Sequence, residues 1–149
     1  MTFNEIKHEI KVNIKNDLKL RLIWYWGLIS IILIFGLKYF RSKHLILSPE
    51  INFLQGTLPN LFAATAFCAI FFIYYKLIFR IDSSFNKKLI FSTLLTFLGL
   101  VIWEIIQYFM GSRIDFYDIL MTTIGCILTA AFIKLVFMIK SPLVNLQGR

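Results

Sequence analysis

Charge is scarce in this chain, and acidic charge scarcest. Only 16% of its 149 residues are charged, with 8 Asp and Glu against 16 Lys and Arg. The resulting net charge of +8 would ordinarily raise nucleic acid as a partner. The basic residues, however, sit at the ends of apolar runs and form no basic domain, and no zinc-finger or RNP pattern accompanies them. No nucleic-acid partner is therefore expected. Cysteine is nearly absent. Cys68 and Cys126 both fall inside apolar runs and belong to no CxxC or Cys/His group, so they read as small apolar helix residues and report nothing about redox compartment. The two histidines, His8 and His44, are isolated in polar segments. That argues against a histidine-ligated metal or haem, and no cofactor is expected. No Ser or Cys nucleophile stands with a His, and no glycine-rich phosphate loop is present. These absences remove the usual acyl-transfer and phosphate-loop arrangements. The N-terminal segment lacks an apolar h-region with a small-residue cleavage site, so it does not read as a signal peptide.

What the chain has in abundance is apolar surface: 58% of residues are hydrophobic and the mean hydropathy is +0.75. A soluble domain of this length has too little interior to hide that much. Four apolar segments stand out, 22–40, 58–79, 89–110 and 116–139. Each is long enough for a hydrocarbon core of about 30 Å. The expected fold is all-α, a membrane-embedded bundle of four transmembrane helices, preceded by an N-terminal amphipathic interfacial helix. In domain terms this gives the amphipathic segment 1–21, the membrane domain 22–140 and a C-terminal tail 141–149.

Local patterns fill in that outline. Phe3, Ile6, Ile10, Ile14 and Leu18 recur near helical spacing, with Lys7, Lys11, Lys15 and Lys19 beside them. This predicts a helix lying on the membrane, its lysines toward anionic lipid headgroups; the alternative is a solvated lead-in to the first span. Trp24, Tyr25 and Trp26 fit an interfacial aromatic belt. Ser48-Pro49 reads as a turn within the polar connection 41–57. Pro59 is expected in the first turn of the second span, and Ala63, Ala64, Ala66 and Cys68 favour close helix contact after it. Only Gly111 to Asp115 link the last two spans, making them antiparallel neighbours.

Lys and Arg residues divide unevenly between alternate sides. Lys7, Lys11, Lys15, Lys19, Arg21, Lys76, Arg80, Lys87, Lys88, Lys134, Lys140 and Arg149 fall on one side, against Lys38, Arg41, Lys43 and Arg113 on the other. The positive-inside rule then places both termini in the cytoplasm.

Ionisable residues inside a span are costly and mark function by default. Glu104, Gln107, Tyr108 and Gly111 share one helix face, as do Asp115, Asp118, Thr122, Gly125 and Thr129 on the next helix, and the turn between them presents Arg113. Two readings are open. In one, Arg113 pairs with Asp115, Asp118 or Glu104 and locks the hairpin, with Gln107 filling the remaining hydrogen bonds. In the other, the cluster is a polar pocket at the outer membrane–water boundary, with Arg113 gripping a phosphate or carboxylate.

The run Trp103-Glu104-x-x-Gln107, then Arg113-x-Asp115-x-x-Asp118, then Gly125 resembles the core of the VanZ-like membrane proteins. Gly56, Pro59 and Asn60 fit the upstream part of that pattern, and the resemblance extends from Gly56 to Phe137. Thr122 stands where the family usually has Asn, and it can still donate and accept a hydrogen bond, with less reach. The resemblance implies a bacterial inner-membrane protein acting on or sensing the cell envelope, in a family named for teicoplanin resistance. Carried over residue by residue, the candidate positions are Asn60, Glu104, Gln107, Arg113, Asp115 and Asp118. From their chemistry, Asn60, Gln107, Arg113 and Thr122 are expected to bind a ligand, and Glu104, Asp115 and Asp118 are the candidate catalytic carboxylates. Three functions follow. The pocket would bind an anionic lipid headgroup, a glycan or a glycopeptide-like ligand; it would be a hydrolase or transferase site for a lipid-linked substrate; or the cluster would only lock helices in a subunit that meets a second copy or another membrane protein.

Overall fold

A computed structural model describes residues 3–43, 48–81 and 83–139. His44, Lys140 and the tail 141–149 lie outside the described residues. The apolar runs form helices and the polar breaks carry their caps. The helices are α1 (Phe3–Asn16), α2 (Leu18–Ser42), α3 (Pro49–Ile73), α4 (Tyr75–Phe79), α5 (Phe85–Phe109) and α6 (Phe116–Met138), with no strand among the described residues. The protein is an all-α bundle. Four of these helices, α2, α3, α5 and α6, are long and apolar enough to cross a membrane, as expected for a multi-pass membrane protein.

The helix limits differ from the apolar segments, and the caps explain why. Asp17 accepts a hydrogen bond from the Lys19 amide at 2.8 Å, so α2 starts at Leu18 rather than at residue 22. Ser48 caps α3, accepting from the Ile51 amide at 3.5 Å, with Pro49 at the helix start and Glu50 in the first turn. An N-cap, a first-turn proline and a first-turn acid together form a helix start. The segment expected as a turn therefore begins α3 nine residues early. Pro59 consequently lies inside the helix, not in its first turn. Its missing N–H leaves the Gln55 carbonyl without its helical donor. At the far end the helix is interrupted at Tyr74, and Arg80 closes α4 in the left-handed region, φ 55°.

Helix α3 is central, packing on α2, α5 and α6. Small residues make that possible. Ala64, Ala66, Cys68 and Ala69 of α3 are buried, as are Gly27 on α2 and Gly125 on α6. At the N-terminal end of the bundle, Ile23, Ala69, Phe72, Ile73 and Ile133 form an apolar cluster that also takes in Ile6 and Ile10 of α1. Ile6, Ile10 and Ile14 of the apolar stripe thus pack on protein, while Phe3, Leu18, Lys7, Lys11 and Lys15 stay exposed. Two polar contacts fasten this end. Glu9 pairs with Lys76 at 2.7 Å, and the Lys19 ammonium donates to the Phe137 carbonyl at 3.1 Å, placing a cation at the C-terminal end of α6 where the helix dipole favours one.

Candidate functional site

The expected cluster sits at the opposite end of the bundle, around the α5–α6 turn. Helix α5 closes on Gly111, whose φ of 94° suits a residue without a Cβ. The Ser112 amide donates back to the Gln107 carbonyl at 3.0 Å. Asp115 is the N-cap of α6, and its Oδ1 accepts from the Tyr117 amide at 2.8 Å. Its carboxylate is exposed and holds a helix end. Arg113 is also exposed and makes no ion pair with the described residues, so the guanidinium–carboxylate lock of the hairpin is not formed. The physical reason is the short link: its residues close one helix and cap the next, and the Arg113 side chain is left on the outside.

The remaining candidates converge. Glu104 is 7% exposed, and Gln107, one turn on, donates to its Oε1 at 3.3 Å. Across the helix interface, Asp118 is half-buried and its Oδ1 is buried without a hydrogen-bond partner. The Asn60 side chain on α3 is the neutral polar group that acts on the Asp118 carboxylate, and Asp115 and Arg41 are the charged groups that do so. Both Asp118 and Asp115 lie close enough to act on Glu104. Thr122 is buried one turn beyond Asp118. The structure therefore gathers Asn60, Glu104, Gln107, Asp115 and Asp118 at one end of the bundle, with Thr122 just below, and leaves Arg113 apart.

The cation near Asp118 is Arg41, from the last turn of α2. Sequence reasoning did not name it as a site residue, although the alternate-side distribution of charge already placed Lys38 and Arg41 on the same side as the carboxylates.

Beside the cluster a cleft of about 560 Å³ runs between α2, α3 and α5. Its wall is apolar except for Lys38, Asn60 and Thr96. Asn60 therefore belongs to both features, lining the cleft and acting on Asp118. The arrangement can accept hydrogen bonds from hydroxyl or amine donors at Asp118 and Glu104, donate or accept at Asn60, and offer positive charge from Lys38 and Arg41. No group of three His, Cys, Asp or Glu among the described residues is placed to hold a metal ion. No family model matches the chain, and no curated protein or solved structure matches it.

Proposed function

We propose that this chain is a VanZ-like protein of the bacterial inner membrane that binds the anionic headgroup of an envelope lipid at the α5–α6 end of the bundle. Asn60 carries the reading: it lines an apolar cleft and also acts on Asp118, a carboxylate with a buried, unpartnered oxygen. The gathering of Asn60, Glu104, Gln107 and Asp118 supports the family assignment, because these positions carry the resemblance. The charge distribution favours cytoplasmic termini, which puts the site at the outer leaflet. Lys38 and Arg41 take the role foreseen for Arg113. A phosphate would lie toward these cations, and the hydroxyl or amine groups of the same headgroup would donate to Asp118 and Glu104.

The test is lipid retention. The protein is reconstituted in bilayers of phosphatidylglycerol and phosphatidylcholine in equal amounts, released into mild detergent, and read by native mass spectrometry. Phosphatidylglycerol should be retained in preference, and Asn60→Leu should remove that preference while the fold persists. Equal retention of both lipids, or a preference that survives Asn60→Leu, would overturn the reading.

A further inference from the structure

The headgroup site ends on an apolar groove, and the shape of that groove suggests what the rest of the ligand is. The cleft follows α3 from Pro59 to Phe71. Twelve residues of helix rise about 18 Å, close to the roughly 15 Å depth of one leaflet of a hydrocarbon core. Its polar wall residues are unevenly placed. Lys38 and Asn60 stand at the end nearest the α5–α6 turn, and the length beyond them is apolar apart from Thr96. Small side chains keep it open: Ala63 on α3 and Gly99 on α5 line it, and no atom lies within 4 Å of where a Gly99 Cβ would stand. Phe67 and Phe71 form the wall toward its apolar end. Ile127, Leu128 and Leu135, on the exposed face of α6, do not line it.

We infer that this groove seats one acyl chain of a glycerophospholipid, with Lys38 holding the lipid phosphate. The inference rests on the headgroup reading above and assigns the ligand its class: a lipid held by head and tail together. The gradient from a cationic end to an apolar end matches the polarity of such a molecule. A transmembrane helix of a second copy would instead set apolar residues against Lys38. A lysine at this depth extends its ammonium toward the interface, where a phosphate lies.

The experiment uses phosphatidylglycerol carrying a photoreactive diazirine halfway along one acyl chain, in phosphatidylcholine bilayers containing the full-length protein. Labelled residues are mapped by mass spectrometry. Label should concentrate on Phe67, Phe71 and Leu95. Gly99→Phe should abolish that label by filling the groove. Lys38→Gln should lower it about tenfold, the effect of losing one charge-assisted hydrogen bond. Soluble glycerol phosphate in excess should not displace it. Label spread evenly onto Ile127, Leu128 and Leu135 would overturn the inference, because it would mark ordinary surrounding lipid. So would displacement by glycerol phosphate, or a crosslinked dimer through the groove. The two readings fail separately. Even labelling with preferred retention of phosphatidylglycerol sinks the groove alone, whereas groove labelling together with equal retention of both lipids by the wild type, or with a preference that survives Asn60→Leu, sinks the headgroup site alone.

Discussion

Gly125 on α6 lies directly against the carbonyl oxygen of Leu61 on α3. A Cβ at position 125 would collide with that oxygen and stand 2.9 Å from the Ala64 Cβ. Two other glycines grade the effect: a Cβ at Gly27 would meet the Ala69 Cβ at 3.2 Å, and one at Gly99 would meet nothing within 4 Å. Gly125→Ala should therefore destabilise the bundle by about 1–3 kcal/mol through overpacking. Gly27→Ala should cost less. Gly99→Ala should be neutral or stabilise by up to about 1 kcal/mol, the helix-propensity difference. Thermal unfolding in detergent should rank the variants in that order, and an unchanged Gly125→Ala would mean that α3 and α6 do not pack this closely.

Helix α1 is held by packing more than by charge. Ile10 is 6% exposed in the cluster formed with Phe72 and Ile133, whereas the Glu9–Lys76 pair keeps side-chain exposures of 34% and 26%. A half-exposed ion pair contributes about 0.2–1 kcal/mol; truncating a buried isoleucine removes about 2–5 kcal/mol. Ile10→Ala should speed tryptic cleavage at Lys7, Lys11 and Lys15 markedly, and Glu9→Gln only slightly. Equal acceleration by both changes would show that the ion pair governs docking.

The four long helices were readable from the sequence because eighteen or more apolar residues have few other uses. Their ends were less so. Ser48-Pro49-Glu50 carried a helix-start signature, but proline beside serine also marks turns, and the polar composition of 41–57 favoured a loop. The partner of the α1 stripe was open for a different reason: Ile6 and Ile10 suit a lipid surface or a protein surface equally well. At the site, helix spacing brought out Glu104, Gln107 and Asp118, since each lies on a face that must turn inward. It could not reveal that Arg113 would be left outside the cluster or that Arg41, seventy-seven positions before Asp118 in the chain, would approach it. Both depend on how α2 and the turn are placed around α3.

Asp115 should prove to be a capping residue. Its Oδ1 already accepts the Tyr117 amide at 2.8 Å, and an N-cap replaced by alanine costs about 0.5–2 kcal/mol. Asp115→Ala should lower the melting temperature without changing the retained lipid, and Asp115→Ser, which keeps an acceptor, should recover most of the loss. Loss of lipid preference in both variants at unchanged stability would assign the carboxylate to the ligand instead.

Asp118 should behave in the opposite way. Its Oδ1 is buried with no partner, and an unsatisfied buried acceptor costs about 1–3 kcal/mol. A group kept at that cost fits a site that waits for a donor from outside, because binding groups commonly trade stability for function. Asp118→Leu, close in volume and without the lone pairs, should leave the melting temperature unchanged or raise it, while removing the preference for phosphatidylglycerol. A purely structural carboxylate predicts the reverse: leucine would lose the polar interaction with Asn60, the bundle would melt earlier, and lipid retention would stay as in the wild type. Measuring both quantities on the same preparation separates the two, since neither role moves them in the same direction.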